Sequence, residues 1–482
     1  GDMNEFDLPA EEVRRLGRLA ADAVADHRAG LAARPVFGKV GPEAGLFDEP
    51  LPEDGRPFEE ILAFVREHVL TRPFGNSHPR FFAFINATAD PVGTIADYLA
   101  SAMNPNCWGG DHAAIHVEDQ VIRWLAEILG LPAAAEGILT SGGSMANFTA
   151  LGAARRAMAP GVREEGVGGV PRLVVYASDQ VHNCVDKAVD LLGIGLKQLR
   201  KVPTDERFRM RLDLLRAAVD ADRKAGLTPA IVVGNAGTVN TGSIDPLEEL
   251  ADFCARESLW FHADGAYGAM ATISPALRPL LKGIERAHSV AADPHKWLYV
   301  PYEAGAALVR EAGRMADAFR KPAEYLIHDA ESPVNGPVAF NERGYELSRG
   351  FKALKVWMGL KSHGRRGYAR AIEHDVALAR FLADAVRAHP DFELLVEPVL
   401  SIVNFRYRPR DAALPDPDLD RLNRKIVNRL VGSGAFFLAP TTLKGRTSLR
   451  VAIVNFRTAE DDLTALVEEV QRVGRELRAG GF

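Results

Sequence analysis

Cysteine is scarce in this chain, with three in 482 residues. Cys107, Cys184 and Cys254 lie far apart and form no CxxC pair. That excludes a disulfide framework and predicts reduced, buried thiols in a cytoplasmic protein. No apolar run approaches the roughly 20 residues that a membrane span requires. Neither sign of charge dominates, since 58 basic residues face 64 acidic ones for a net charge of −6. No basic stripe stands out, which weighs against a nucleic-acid groove. The motifs GxxxxGK[ST], GxGxxG and HExxH are all missing. The first residues, GDMNEFDLPAEEVRRLG, are acidic and polar rather than like a signal peptide. The expectation is a soluble protein with no nucleic-acid or membrane partner.

What is present is an ordinary globular composition, 47% hydrophobic and 25% charged. The length suggests one large domain with smaller appendages. Residues 9–30 have the pattern of an amphipathic helix, residues 35–57 are rich in Pro and Gly, and Phe58–Leu70 forms a second helix. Neither helix has strands nearby, so both are predicted to lie against another domain or another subunit. From residue 91 helices alternate with short apolar strands. Helix Ile115–Gly130 precedes the loop GILTSGGSMAN, which opens a helix through Met158. Strands follow at 173–177, 230–234, 259–263, 289–292 and 305–310. Short apolar strands separated by helices predict a mainly parallel sheet covered on both faces. After a long helix near Leu354–Gly364, SIVNFRYR, LRVAIVNF and terminal helices predict a smaller α/β domain.

The segments just past these strands carry the chemistry. SDQVH follows 173–177, NAGTVNTG follows 230–234, DGAYG follows 259–263 and DPHK follows 289–292. Open parallel sheets place ligands at that rim. A lysine at a strand end between His295 and Trp297 is partly desolvated, which frees its amine to form an imine with an aldehyde cofactor. Lys296 is in that position. Asp264, one strand earlier, is an acid able to hold a pyridine nitrogen protonated, with the small Ala266 beside it to admit a flat ring. Ser141-Gly142-Gly143-Ser144 opens a helix, where backbone N–H groups can hold a phosphate. His182 is placed to stack on a ring. Each has a plainer reading, as a surface lysine, a structural hydrogen-bond pair, an N-cap or a structural histidine. Four such residues in this order outweigh those readings.

The segments HPRFFAF, SDQVHNCVDKA, HADGAYG, DPHKW, EYLIHD and LSRGFKALKVW resemble those of group II pyridoxal-phosphate decarboxylases. Within that group the likeness is to the aromatic L-amino acid, tyrosine and histidine decarboxylases, from about His78 to the C-terminal LRVAIVNFRT. The resemblance implies a fold type I enzyme with pyridoxal 5′-phosphate as cofactor. It divides the chain into an N-terminal segment, 1–90, wrapping a dimer partner, a large cofactor-binding domain, 91–355, and a small C-terminal α/β domain, 356–482. It also implies a homodimer whose active site is shared between subunits. Carried over residue by residue, Lys296 is the Schiff-base lysine, Asp264 the pyridine partner and His182 the stacking histidine. Gly143 and Ser144 meet the phosphate, Thr238 lies near the ring substituent and His295 precedes the lysine. Tyr325 matches the mobile-loop tyrosine. The implied reaction converts an L-amino acid to its amine through an external aldimine and a quinonoid, whose carbon Tyr325 protonates. An aldehyde synthase is the alternative on the same fold. Such enzymes tend to have Phe for this tyrosine or Asn for the stacking histidine, and Tyr325 and His182 are both present.

The chain departs from the pattern at two places. Asp293 replaces the Asn of Asn-Pro-His-Lys and, since a carboxylate beside phosphate is unfavourable, is expected to point elsewhere. The substrate pocket, read as Phe84, Trp108, Asn106 and Ser348 with Ile85 and Asn104 nearby, is smaller and more polar than in the family. Phe84 and Trp108 favour an aromatic side chain, while Asn104, Asn106 and Ser348 leave room for a phenol, an imidazole or a smaller polar group. A competing α/β-hydrolase reading takes Gly142-x-Ser144-x-Ala146 as a nucleophile elbow, with Asp264 and His295 completing a triad. GILTS ahead of Ser144 reads as a poor strand, and Lys296 and His182 are then left without roles. His112 and His116 have metal-ligand spacing beside Asp111 but lack a third ligand, so no metal is expected.

Overall fold

The computed structural model describes residues 6–321 and 332–482. Among these, the large sheet has seven strands: β1 (Glu136–Thr140), β2 (Leu173–Ser178), β3 (Leu199–Val202), β4 (Thr228–Asn235), β5 (Trp260–Gly265), β6 (Ser289–Ala292) and β7 (Gly305–Val309). Their spatial order is β1-β7-β6-β5-β4-β2-β3. Neighbours from β3 to β6 are parallel, and β7 pairs antiparallel with both β6 and β1. Strands β2, β5 and β6 are buried along their whole length and β4 along all but its first residue. Their apolar runs therefore reflect helices on both faces rather than an amphipathic sheet. The expected mainly parallel α/β sheet is present.

A separate antiparallel sheet in the order β10-β11-β9-β8 combines β8 (Phe392–Val396), β9 (Ile402–Tyr407), β10 (Ala439–Leu443) and β11 (Arg446–Ala452). The helices Asp416–Ser433 and Glu460–Ala479 cover it and share its apolar core. The long helix Ala353–Ala388 joins the two sheets. It breaks at Gly364, whose φ of 64° is a left-handed conformation that favours glycine. The N-terminal segment is hydrogen-bonded to the small domain. Val36 N–H donates to the Gly434 carbonyl at 2.8 Å, Phe82 N–H to the Phe437 carbonyl at 2.7 Å, and Ala452 N–H of β11 to the Phe82 carbonyl at 3.0 Å.

One expectation is corrected here. The GILT of this segment lies in a fully buried strand, β1, rather than a poor one. Few apolar residues mark it because its burial comes from outside. The helix Ala113–Leu129 packs on it, β7 pairs with it, and Glu136 accepts a hydrogen bond from Met315 N–H at 2.7 Å. The helix at Phe58 is α-helical only through Phe64, and a wider π-type turn carries it on to Val69.

The short helix Pro294–Trp297 after β6 is anchored from below by Asp375 of the long helix. Asp375 accepts hydrogen bonds from Trp297 Nε1 at 3.0 Å and from Tyr299 O–H at 2.7 Å. Burial raises its carboxyl from 3.8 to about 7, against the two hydrogen bonds that stabilise the anion. Because the folded value lies above the unfolded one, Asp375 favours folding most below about pH 4, and that contribution is lost as pH rises toward 7. The expected outcome is that Asp375→Asn removes this loss. The stability difference, measured by urea unfolding between pH 4 and 8, should shift toward the variant by up to roughly 4 kcal/mol. A pH-independent difference would contradict the assignment.

Candidate active site

The C-terminal ends of β2, β4, β5 and β6 open on one cavity of about 520 Å³. Its lining brings together Lys296, Asp264, His182, Ser144, Thr238 and His295, with Gly143, Ala266 and Phe84. Four separate stretches of sequence meet there because parallel strands deliver their following loops to the same side.

Lys296 stands on the helix Pro294–Trp297, its side chain 20% exposed. The backbone beneath it is held by the Asp375 bonds and by Trp297, whose ring packs on Tyr267 with centroids 4.8 Å apart. Asp264 is next to last in β5, is buried and accepts from Ala266 N–H at 3.2 Å. His182 caps the helix Asn183–Leu191, its Nδ1 accepting from Cys184 N–H at 3.2 Å, so the neutral ring carries its proton on Nε2. Burial lowers the His182 pKa and the Asp264 carboxylate opposes that shift. Burial likewise lowers His295, whose Nδ1 accepts from Ala304 N–H at 3.1 Å. The ring of Tyr302 packs on it at 4.4 Å.

The loop from Ser141 leads into the helix Gly143–Met158, whose first N–H groups have no partner within the helix. Gly143 is required by close approach, since a Cβ there would lie 2.9 Å from both the Ala266 Cβ and Asp293 Oδ2. A buried line of hydrogen bonds ties this loop to the sheet. Ser289 Oγ is bonded to His262 Nδ1 at 2.8 Å and His262 Nε2 to Asn147 Oδ1 at 2.7 Å. Asn147 Nδ2 in turn donates to the Gly143 carbonyl at 2.9 Å. Trp260 Nε1 already donates to Ser289 Oγ, so the serine hydroxyl donates to His262. Burial lowers His262 to about 4 and keeps it neutral.

The structure overturns the expectation for Asp293, whose carboxylate lines the cavity instead of pointing elsewhere. It also leaves three predicted pocket residues outside the cavity of their own chain. Asn106 is exposed, with Oδ1 accepting from Arg349 N–H at 3.0 Å; Ser348 is exposed and Trp108 half-buried on the same stretch of surface. Tyr325 lies outside the described residues. Several lining residues escaped the sequence reading, among them Asn147, Tyr302 and Arg450. Asn147 is one turn after Gly143 on the same helix face, a spacing that could have flagged it. Tyr302 follows the lysine helix. Arg450 comes from β11, far along the chain. Its Nε and Nη1 donate to the carbonyls of Val239 and Phe84, Nη2 is buried without a partner, and burial lowers its pKa to about 10.

The hydrolase triad does not form. Among the described residues His295 bonds neither Ser144 nor Asp264, and its free Nε2 faces Asp293 Oδ2 at 3.6 Å. His116 pairs with Asp111 at 2.7 Å on the surface, and no described group of three or more His, Cys, Asp or Glu could hold a metal ion. No described helix is long and apolar enough to cross a membrane.

A lysine, an acid and a helix N-terminus at the rim of a mainly parallel sheet, followed by a small antiparallel domain, define a fold type I pyridoxal-phosphate enzyme. Residues 41–408 match the pyridoxal-dependent decarboxylase conserved domain. The chain is 38% identical to aromatic-L-amino-acid decarboxylase of Bacillus atrophaeus, over 98% of this chain and 97% of that one. Its structure matches that of Oryza sativa TDC with PLP and tryptamine at a TM-score of 0.91 and 30% identity, covering 98% of this chain and 100% of that one. It also matches 4-hydroxyphenylacetaldehyde synthase of Rhodiola rosea at a TM-score of 0.87 and 26% identity, with 98% and 100% covered. The chain belongs to the pyridoxal-dependent decarboxylase family. It is a carboxy-lyase acting on an amino acid with pyridoxal 5′-phosphate as its cofactor.

Proposed function

We propose that the chain decarboxylates an aromatic L-amino acid to its amine, with Lys296 as the residue that carries the cofactor. The observation behind this is the convergence of Lys296, Asp264, His182 and the Gly143 loop on one cavity. The residues fit the cofactor. Gly143 leaves space where a Cβ would collide, and the helix behind it offers free N–H groups to a phosphate. When bound, pyridoxal 5′-phosphate accepts the electron pair released as the Cα–CO₂⁻ bond breaks.

The chain's own residues supply the rest. Lys296 would hold the cofactor covalently and would give way to the substrate amine. Asp264 would keep a proton on the pyridine nitrogen. His182 would cover one face of the ring, and its Nε2 carries the proton because Nδ1 is used as the helix cap. Thr238, whose Oγ1 is 3.0 Å from Thr241 Oγ1, borders the ring substituent. The unpartnered Nη2 of Arg450 offers a donor to a carboxylate. Phe84, 46% exposed at the cavity wall, provides an apolar surface for an aromatic side chain. Tyr325 delivers the proton to Cα after carbon dioxide leaves.

Likeness to an aldehyde synthase raises a second reading, in which oxygen rather than a proton would react at the substrate Cα. Tyr325 and His182 together favour the amine. The expected outcome is carbon dioxide and amine in equal amounts from the best substrate in a panel of aromatic amino acids. Tyr325→Phe should keep releasing carbon dioxide but form amine on the order of 100-fold more slowly, with aldehyde and peroxide in its place. Mostly aldehyde from the wild type, or amine at the wild-type rate from the variant, would contradict the assignment.

The working unit is a homodimer with a shared site, in which residues 1–90 wrap the partner, 91–355 bind the cofactor and 356–482 form the small domain. Support comes from apolar side chains left at the protomer surface. Val13 on the first helix is 48% exposed, and Ile95, Tyr98 and Met103 on the helix Pro91–Met103 are 50–60% exposed. Asn106, Trp108 and Ser348, absent from the cavity of their own chain, are assigned to the partner's. Sedimentation should give twice the 52.4 kDa chain mass, and removal of residues 1–70 should leave aggregated or inactive protein. A soluble, active monomer after that removal would contradict the shared site.

A further inference from the structure

Asp293 is a buried acid in an unusual setting. It occupies the position before the helix Pro294–Trp297 where an aspartate ordinarily caps, yet its side chain makes no cap hydrogen bond. The residue is 2% exposed. Oδ2 lies 3.1 Å from Lys296 Nζ and 3.6 Å from His295 Nε2, its ion-pair partners among the described residues. Oδ1 is buried with no hydrogen-bond partner at all. On its other side the carboxylate abuts the anion-binding loop, since the Cβ position of Gly143 is 2.9 Å from Oδ2. A buried acceptor left unpaired beside free helix N–H groups is costly to the fold and is retained where it serves the site.

We propose that Asp293 sets how firmly the cofactor's phosphate is held, pairing with Lys296 in the cofactor-free chain and opposing the phosphate once Lys296 is occupied. This rests on Lys296 and the Gly143 loop being the cofactor's anchors, as assigned above. The amine of Lys296 condenses with the cofactor aldehyde. A C=N bond forms, the C=O bond breaks, the oxygen leaves as water with two protons from the ammonium nitrogen, and the third proton passes to solvent, leaving an uncharged imine. Asp293 then keeps its charge without its partner, a few ångströms from a phosphate that carries charge of the same sign. Like charges at that range in a partly desolvated site repel strongly. The cofactor is consequently exchangeable, held through its imine and ring contacts more than through its phosphate. A neutral side chain at this position removes the repulsion and leaves the helix N–H groups to act on the phosphate alone.

The test compares two aldehydes on cofactor-stripped full-length protein: pyridoxal 5′-phosphate and pyridoxal, which has a hydroxyl in place of the phosphate. Dissociation constants are measured by absorbance titration for wild type, Asp293→Asn and Asp293→Ala. Any effect of Asp293 on the Lys296 amine is common to both aldehydes, so the ratio of the two constants isolates the phosphate. The preference for the phosphorylated aldehyde is expected to rise at least about tenfold in both neutral variants. Thermal melts of the stripped proteins check folding, and the alanine variant stands in if the asparagine variant is unstable. An unchanged or reduced preference in the folded variants overturns the role of Asp293 while leaving the cofactor site intact. A wild type that binds neither aldehyde overturns the assignment of the site and this inference with it.

Discussion

A neutral imidazole below the rim, His262, holds the helix Gly143–Met158 in place against the central strands. It bridges Ser289 on β6 and Asn147 on the helix behind the loop, and Asn147 passes the connection to the Gly143 carbonyl. The line works only while the ring is uncharged. Asn147 Oδ1 needs a donor and Ser289 Oγ an acceptor, and a neutral ring supplies one of each. Complete burial keeps it so. His262 and Asp264 are two residues apart on β5, so both side chains project from the same face of the sheet toward the same helix. The strand that supports the loop thus also presents the acid to the cavity.

The electrostatics of the cavity follow from the same construction. Two carboxylates, Asp264 next to last in β5 and Asp293 just past the parallel β6, line the cavity with a single lysine, with the N-terminus of the helix Gly143–Met158 as a second positive element. Asp264 keeps a hydrogen bond to a backbone N–H, whereas one oxygen of Asp293 has none. Arg450 enters from the other sheet, so the small domain supplies part of the cavity wall.

Strands β2, β4, β5 and β6 were legible because interior parallel strands need apolar residues on both faces, which leaves an unbroken run. β1 was not, because Glu136 and Gly137 interrupt the pattern and its burial is supplied by its neighbours. β8 and β10 are only partly buried and carry mixed residues that resemble loops. The same division separates the site residues. Lys296, Asp264, His182 and Thr238 follow strand ends, so local sequence locates them. Arg450 reaches the cavity through the fold of a distant sheet and Asn147 through the phase of a helix, and neither signal is local. The direction taken by Asp293 was misjudged because repulsion from a phosphate was considered without the lysine 3.1 Å away.

The central assignment is that Lys296 carries the cofactor. It is tested most directly by reducing the purified, cofactor-loaded enzyme with borohydride and mapping the labelled peptide by mass spectrometry. The visible absorbance should disappear on reduction, and a single pyridoxyl group should be found on Lys296. A label on another lysine, or protein that stays colourless and unlabelled after incubation with pyridoxal 5′-phosphate, would contradict it.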